Sequence, residues 1–275
     1  MKISYFIIGL FLISCKQVDL NKNQKLDKSA IFAILQGEWL NNEFINKVKE
    51  TKSPSKSYNE DLTFSALSID TTNCSIDTLS VGCSINNNHE AFTFKAMFNI
   101  TDSFRTDINN YNKKDDYFTL ILKIDNPDTS LYLNEYSVSN QLIKSIQYKR
   151  TKTKTYKYGV GSCIDDFVRS NLFEGSYKQF SANDSDLKRQ ILFSKNGFVN
   201  SLYDKQFYDV QVDFIVSYKN LDMIFFMDSL DNYSNCIRKF YKIKNDTIMI
   251  FNTKKAIETG WDTIAELQYK LIKQK

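Results

Sequence analysis

The stretch Lys242–Asn252, KIKNDTIMIFN, decides the fold expected of this chain. Two runs rich in β-branched and apolar residues flank the turn-forming pair Asn245-Asp246, a pattern typical of two strands joined by a tight turn. The stretch Lys123–Asn134, KIDNPDTSLYLN, matches it when two single-residue insertions are allowed. One hairpin therefore occurs twice, which suggests a duplicated β domain.

Two further segments recur in the same order around this hairpin. The openings Leu35–Trp39 (LQGEW) and Leu172–Tyr177 (LFEGSY) both contain Gly-x-aromatic, and both copies end with Gln-Tyr-Lys, at Gln147–Lys149 and Gln268–Lys270. Opening, hairpin and closing strand in one order predict a tandem duplication. Chance similarity between strand-turn-strand segments is the alternative.

The Gly-x-aromatic motif links the chain to a known architecture. Gly37-Glu38-Trp39 at the start of a first strand resembles the opening of lipocalins and of small bacterial lipocalin-like domains, and Tyr177 takes the place of Trp39 in the second copy. The resemblance covers three residues per copy. It implies antiparallel barrels, an aromatic residue packed across one barrel end, and an interior that can hold an apolar ligand.

Period-two alternation predicts the strands. The clearest cases are Phe92, Phe94, Ala96, Phe98 and Ile100, and the set Tyr208, Val210, Val212, Phe214, Val216 and Tyr218. Further strands are expected at 62–69, 117–124, 131–133, 143–150, 189–193, 198–203, 221–227, 236–243, 247–251 and 264–272. The connectors leave no room for crossover helices. The expected fold is thus mainly β, with two tandem antiparallel lipocalin-like barrels or bent meanders and a few short helices.

The sequence also predicts short helices and the domain limits. Asn41 or Asn42 should cap a helix that runs to about Thr51 and ends before Pro54, and Ser29 should cap a helical turn. This helix departs from the simple lipocalin pattern. The expected units are a signal peptide at 1–14, a lipidated tether at 15–28, a first β domain at 29–152, a linker with a short helix at 153–171, and a second β domain at 172–275.

The N-terminus has the features of an export signal. Met1-Lys2 precedes the apolar run Ile3–Ile13, eleven residues long, whereas a membrane-spanning helix needs about 20. The run ends in Leu12-Ile13-Ser14-Cys15, which resembles the lipobox of bacterial lipoproteins. The resemblance implies loss of residues 1–14 and lipidation of Cys15. An ordinary secretory signal with a chance cysteine is the alternative.

Localisation follows from the same resemblance. Lys16 stands where enteric lipoproteins retained at the inner membrane carry Asp, so the expected location is the cell envelope, at the outer membrane, with the periplasmic or surface face left open. The membrane is then a partner through Cys15.

The other four cysteines allow three pairings. Outside the cytoplasm an even number of cysteines favours disulfides, and pairs within each domain would be Cys74–Cys83 and Cys163–Cys236. Buried free thiols are the alternative. The absence of a Cys-x-x-Cys motif argues against a redox site.

The composition argues against several functions. Lys and Arg number 36 against 32 Asp and Glu, and without Lys2 the mature balance is 35 against 32, too small and too dispersed for nucleic-acid binding. His89, the single histidine, is expected in an exposed turn. The acids Asp165 and Asp166 are expected to be exposed to solvent or to cap the brief helix at 165–168, rather than to act in glycoside hydrolysis.

No catalytic motif, phosphate loop, metal site or cofactor is predicted. The expected protein is a non-catalytic binding module for an apolar or amphipathic small ligand. The alternative is an accessory lipoprotein that binds an envelope protein.

Overall fold

The computed structural model describes residues 27–57, 64–75, 77–85, 90–100, 102–109, 116–125, 128–152, 162–213, 221–230, 233–257 and 262–274. Within these ranges the chain forms two closed eight-stranded antiparallel barrels, one after the other. The first barrel consists of β1 (Gly37–Asn41), β2 (Ala66–Ser75), β3 (Thr78–Ile85), β4 (Glu90–Ile100), β5 (Ser103–Asn109), β6 (Tyr117–Asp125), β7 (Asp128–Tyr136) and β8 (Leu142–Arg150).

The second barrel repeats this meander. It consists of β9 (Gly175–Ser181), β10 (Asp186–Phe193), β11 (Phe198–Leu202), β12 (Lys205–Val210), β13 (Met223–Met227), β14 (Ile237–Lys244), β15 (Thr247–Lys255) and β16 (Asp262–Lys273). Pairing of the first and last strands closes each barrel, with Trp39 opposite Arg150 and Tyr177 opposite Lys273. The predicted fold class and duplication are confirmed.

Some strand predictions were incomplete or wrong. Strands β3 and β5 were not predicted, and β3 (TLSVGCSI) contains small polar residues that weaken its pattern. The long strand predicted over 208–218 is wrong at residues 211–213, because β12 ends at Val210 and these three residues lie outside any strand. The rest of that prediction, 214–218, lies outside the described residues.

Within the described residues, four α-helices and a π-helix accompany the barrels. They are α1 (Lys28–Leu35), α2 (Asn42–Thr51), α3 (Pro54–Ser57), α4 (Ser162–Val168) and the π-helix Arg169–Phe173 that continues α4. The Asn41 carboxamide oxygen accepts from the backbone N–H groups of Glu43 (2.9 Å) and Phe44 (3.3 Å), which confirms the predicted cap of α2.

The predicted Ser29 cap of α1 was wrong. Asp27 caps this helix instead, and its carboxylate accepts from the Ala30 N–H at 2.8 Å. The carboxylate also binds the Ser29 hydroxyl, so Ser29 lies inside the first turn and supports the cap rather than forming it.

Both barrel openings use the same hydrogen bond. The Trp39 indole Nε1 donates to the carbonyl of Leu35, the last residue of α1, at 2.9 Å. The Tyr177 hydroxyl donates to the carbonyl of Phe173, the last residue of the π-helix, at 2.8 Å. Each opening aromatic thus holds the end of a helix against its barrel.

The closing strands add a second shared contact. Arg150 Nη2 donates to the Gln36 carbonyl and Lys273 Nζ to the Glu174 carbonyl, both at 2.7 Å. These carbonyls directly precede the two opening glycines. Arg150 and Lys273 therefore make equivalent contacts with the two openings.

The strand pairing supports the predicted repeat. The hairpins match, because Lys123 pairs with Ser130 just as Lys242 pairs with Met249, at equal distance from the turn and without the two insertions expected from the sequence. The Gln-Tyr-Lys motifs take the same register against these hairpins: Leu131 pairs with Tyr148 and Ile250 with Tyr269. Relative to the two openings the closing strands differ by two residues, since Gln147 lies three residues before Arg150 and Gln268 lies five residues before Lys273.

One apolar core connects the two barrels. Leu40, Phe44, Val48 and Ala66 of the first barrel and α2 belong to the same buried cluster as Cys163, Ile164 and Val168 of α4 and the interior of the second barrel. A separate cluster fills the first barrel. Helix α4, within the predicted linker, is thus an interface element that packs against β1 and β12.

Candidate functional site

Large side chains occupy the barrel interiors where a lipocalin-like ligand would bind. In the second barrel the ring of Phe193 lies 4.8 Å from that of Tyr208, and the ring of Phe173 lies 5.0 Å from that of Tyr241, between centroids. In the first barrel Trp39 and other large residues are fully buried. The buried apolar side chains of the second and the first barrel belong to two clusters.

A cleft of about 290 Å³ lies where the first half of the chain meets the second barrel. One wall comes from the end of α2 and from α3, and the other from the residues before β13 and from the β14–β15 hairpin. Its lining residues are Thr51, Lys52, Ser53, Lys56, Leu221, Asp222, Tyr241, Lys242, Ile243, Lys244, Met249 and Ile264.

Local backbone features form the first wall. Helix α2 ends at Thr51, and the next residue, Lys52, caps it in the left-handed region with φ 55°, which turns the chain into Ser53-Pro54. The Ser57 hydroxyl donates to the Ser53 carbonyl at 2.7 Å and tightens α3.

Asp222 ties this wall to the second barrel. Its carboxylate accepts from the Ser55 backbone N–H at 2.9 Å. Burial raises the pKa of Asp222 above its ordinary value, and the opposing effects of the Ser53 and Ser55 hydrogen bonds and of Lys56 are smaller. The contact fixes the two halves of the chain at the floor of the cleft.

The electrostatics of the cleft are dominated by cations. Lys52, Lys56, Lys242 and Lys244 line it, and Asp222 is the only carboxylate among the described lining residues. None of the four lysines forms an ion pair within the described part of the chain. The cleft therefore carries an excess of positive charge.

Tyr241 contributes an unused donor. Its side chain is 1% exposed, and its hydroxyl has no hydrogen-bond partner among the described residues. Burial, and to a smaller degree the charge of Asp222, raise the pKa of Tyr241 well above its ordinary value, so the hydroxyl keeps its proton.

A second unusual group lies at the interface beneath α4. Glu38 is 1% exposed on the outer face of β1, and neither carboxyl oxygen accepts a hydrogen bond of ordinary geometry within the described residues, although Ser68 and Cys163 face it. Burial is the main reason that the pKa of Glu38 is raised, and the charge of Asp166 adds to it.

The predicted role of Asp165-Asp166 is only partly correct. Asp166 accepts from Arg169 Nη2 at 2.7 Å, and Arg169 Nη1 donates to Asp209 at 2.9 Å. Asp166 is therefore a structural ion-pair partner of Arg169, and the pair of Arg169 with Asp209 connects the π-helix to β12. Burial and the charge of Asp209 raise the pKa of Asp165 well above its ordinary value, so Asp165 is not the freely solvated acid that was expected.

The predicted disulfides are absent. Cys74, Cys83, Cys163 and Cys236 are all free thiols. Cys83 lies opposite Leu67 of β2, whereas Cys74 lies beyond an irregularity of that strand, where its thiol donates to the Asp70 carbonyl at 2.9 Å. Cys83 is buried inside the first barrel, and burial raises its pKa to about 12.

The other proposed pair is separated by its surroundings. Cys163 is fully buried and faces Glu38 of the first barrel, which together with burial raises the pKa of the thiol. Cys236 is half-buried in the turn before β14 of the second barrel. The two side chains therefore belong to different environments.

The remaining predicted residues do not form a site. Trp39 and Tyr177 close separate barrel openings, as described above. Cys15 and His89 lie outside the described residues. The described part of the chain contains no group of three or more His, Cys, Asp or Glu side chains that could hold a metal ion, and none of its helices is long and apolar enough to cross a membrane.

The residues of the cleft were not predicted. Lys242 and Lys244 belong to the repeated hairpin, but alternating lysines on a strand are usual at a solvent-facing surface. The informative difference is between the copies: Asp125 of the first hairpin occupies the position of Lys244 in the second.

No protein-family model and no curated protein matches the chain.

Proposed function

We propose that this chain is a lipid-anchored protein of the cell envelope that binds a small amphipathic ligand in the cleft between its barrels, without catalysing a reaction on it. The observation that carries the proposal is the cleft itself. It combines a volume near the lower end of small-molecule sites with both apolar and charged lining residues.

The architecture supports a role in binding. The two walls of the cleft come from distant parts of the chain, since Ser55 and Asp222 lie 167 positions apart. The shared core and the contact between these two residues hold the walls in place. A preformed site of this kind lowers the entropic cost of holding a ligand.

Blocking the cleft tests its role. Met249 is half-buried on the cleft wall, and Met249→Trp would fill part of the space. Native mass spectra of the mature chain, made with Cys15→Ala in a bacterial periplasm, should show a bound small molecule that Met249→Trp removes without changing the melting temperature. A bound mass that survives this substitution would place the ligand elsewhere.

The anchor has its own test. The lipobox predicts that the wild-type chain is in the membrane fraction and that Cys15→Ala releases it as a soluble exported protein. Retention of Cys15→Ala in the membrane fraction would refute the lipid anchor. Release would leave the cleft proposal unaffected, since the cleft lies far along the chain from Cys15.

An accessory role with a protein partner is the second candidate. It is favoured by Leu192, Phe198 and Ile272, which are 42%, 41% and 38% exposed on β10, β11 and β16 of the second barrel. Serine at Leu192 and Phe198 should abolish association with an envelope protein while Met249→Trp leaves it intact. The opposite result would rule out this surface.

A further inference from the structure

We infer that the cleft selects an amphipathic anion, meaning a carboxylate or phosphate head group on a short apolar chain. The inference depends on the proposed function, because it specifies the ligand of the same cleft. Nothing in the predicted lipocalin-like binding mode requires a charged head group, since that mode relies on an apolar barrel interior.

The cleft carries an excess of positive charge. Among the described lining residues of this half-enclosed site, four lysines face one carboxylate. That carboxylate, Asp222, already accepts the Ser55 N–H at 2.9 Å. An anionic group would be attracted to the cleft, and a cationic group would be repelled.

The two copies of the repeated hairpin differ in charge next to the turn. In the first barrel the strands next to the hairpin turn end in Asp125 and Asp128, which pair with each other. In the second barrel the equivalent pair is Lys244 and Thr247. Acidic positions in one copy are thus basic and neutral in the copy whose hairpin lines the cleft.

The hydroxyl of Tyr241 is buried and has no hydrogen-bond partner among the described residues. Tyr241 lines the cleft next to Asp222. Buried polar groups normally have a partner. The oxygen of an anionic head group is the kind of acceptor that this hydroxyl lacks.

The apolar part of the lining sets the rest of the ligand. Leu221, Ile243, Met249 and Ile264 are half-buried in the same cleft. Its volume of about 290 Å³ is near the lower end of small-molecule sites, which favours a short-chain ligand. Octanoate has this size and chemistry, and octanamide is its uncharged counterpart of equal size.

Calorimetric titration of the mature Cys15→Ala chain with these two probes tests the inference. We expect octanoate to bind at least about tenfold more tightly than octanamide at low ionic strength, and added salt to reduce the difference. Lys242→Gln with Lys244→Gln should weaken octanoate by about tenfold and leave octanamide unchanged. Tyr241→Phe should weaken octanoate by a few-fold.

The repeat provides a matched control. Lys123 is the counterpart of Lys242 in the first barrel, and both ammonium groups lie over an aromatic ring, that of Tyr132 at 4.7 Å and that of Phe251 at 5.6 Å. Lys123→Gln should leave the binding of both probes unchanged. An equal loss of octanoate binding in Lys123→Gln would refute a specific effect of the cleft.

The outcomes separate the inference from the proposed function. Equal binding of both probes, lost in Met249→Trp but unaffected by the lysine substitutions, would overturn the anion preference and keep the binding function. Binding of neither probe would overturn both. A preference for octanoate that disappears with the lysine pair, in a variant that melts like the wild type, would support both.

Discussion

At the interface between the barrels, the carboxyl group of Glu38 is enclosed by β1, by Ser68 of β2 and by Cys163 of α4. A buried carboxylate without hydrogen bonds is costly, and burial is the main reason that the pKa of Glu38 is raised. Asp166 faces it from α4 and disfavours ionisation further. Glu38 therefore makes the stability of the interface sensitive to pH.

Glu38→Gln tests this pH dependence. Below the ordinary pKa of 4.5 both the folded and the unfolded chain hold the proton, so Glu38 adds no pH-dependent term there. As pH rises above that value only the unfolded chain ionises, and stability falls until the raised folded-state pKa is passed, by about 1.4 kcal/mol for each pH unit between the two.

The variant should therefore be more stable than the wild type at pH 7 to 8, with the difference disappearing near pH 4, as measured by urea unfolding at several pH values. Asp27→Asn is the control, because burial raises the pKa of Glu38 but hydrogen bonds lower that of Asp27. A constant difference between Glu38→Gln and the wild type at all pH values would contradict this account.

At the scale of the elements, each barrel is closed by a helix, a glycine, an aromatic residue and a cation from the last strand. Gly37 and Gly175 have φ of 124° and 144°, a region that other residues rarely adopt. The repeat conserves the contact while changing its members, from Arg150 to Lys273 and from Trp39 to Tyr177. The geometry of the opening, rather than one residue pair, is what both copies share.

Alanine at the two glycines should have unequal effects. A Cβ at Gly175 would lie 2.7 Å from Lys273 Cε, whereas a Cβ at Gly37 would lie no closer than 3.7 Å to Arg150. Both substitutions strain the backbone by about 1–3 kcal/mol, and Gly175→Ala also displaces Lys273. Thermal unfolding should therefore show the larger loss for Gly175→Ala.

A double-mutant cycle separates the two causes. Lys273→Ala should recover part of the loss in Gly175→Ala, because the clash involves the flexible end of a side chain, and Arg150→Ala should recover none of the loss in Gly37→Ala. Equal losses at both glycines with no coupling would show that backbone strain alone is responsible.

At the scale of the whole molecule, the shared core makes the barrels interdependent. Phe44 of α2 and Phe167 of α4 lie 6.3 Å apart between ring centroids, inside the cluster that spans the interface. Burial of this apolar surface should couple the unfolding of the two barrels. The cleft depends on the same coupling, since its walls belong to different halves of the chain.

Phe44→Ala should weaken this coupling at a cost of about 3–5 kcal/mol. Calorimetry should show one cooperative transition for the wild type and two separated transitions for Phe44→Ala. Phe104→Ala, inside the first barrel, is the control. It should lower the stability of the protein but leave a single cooperative transition, because it does not touch the interface cluster. Two transitions in the wild type would show that the barrels are independent.

Much of the fold could be predicted from the sequence, since it rests on local patterns. The hairpin at Lys242–Asn252 and its earlier copy follow from alternation and turn residues, and the Asn41 cap follows from local hydrogen bonding. Strand β3 was not predicted because its small polar residues carry little alternation. Its strand form depends on pairing with β2 and β4.

The sequence by itself determined the β class, the duplication, the order of the strands and which side chains of the alternating strands face inward, because these depend on neighbours along the chain. Only the tertiary structure decided the free state of the cysteines, the burial of Glu38 beneath α4, and the presence of Lys52 and Lys244 in the lining of one cleft. Alternation states that a side chain faces outward. What covers that outward side chain depends on packing between segments far apart in the chain, and no local pattern records it.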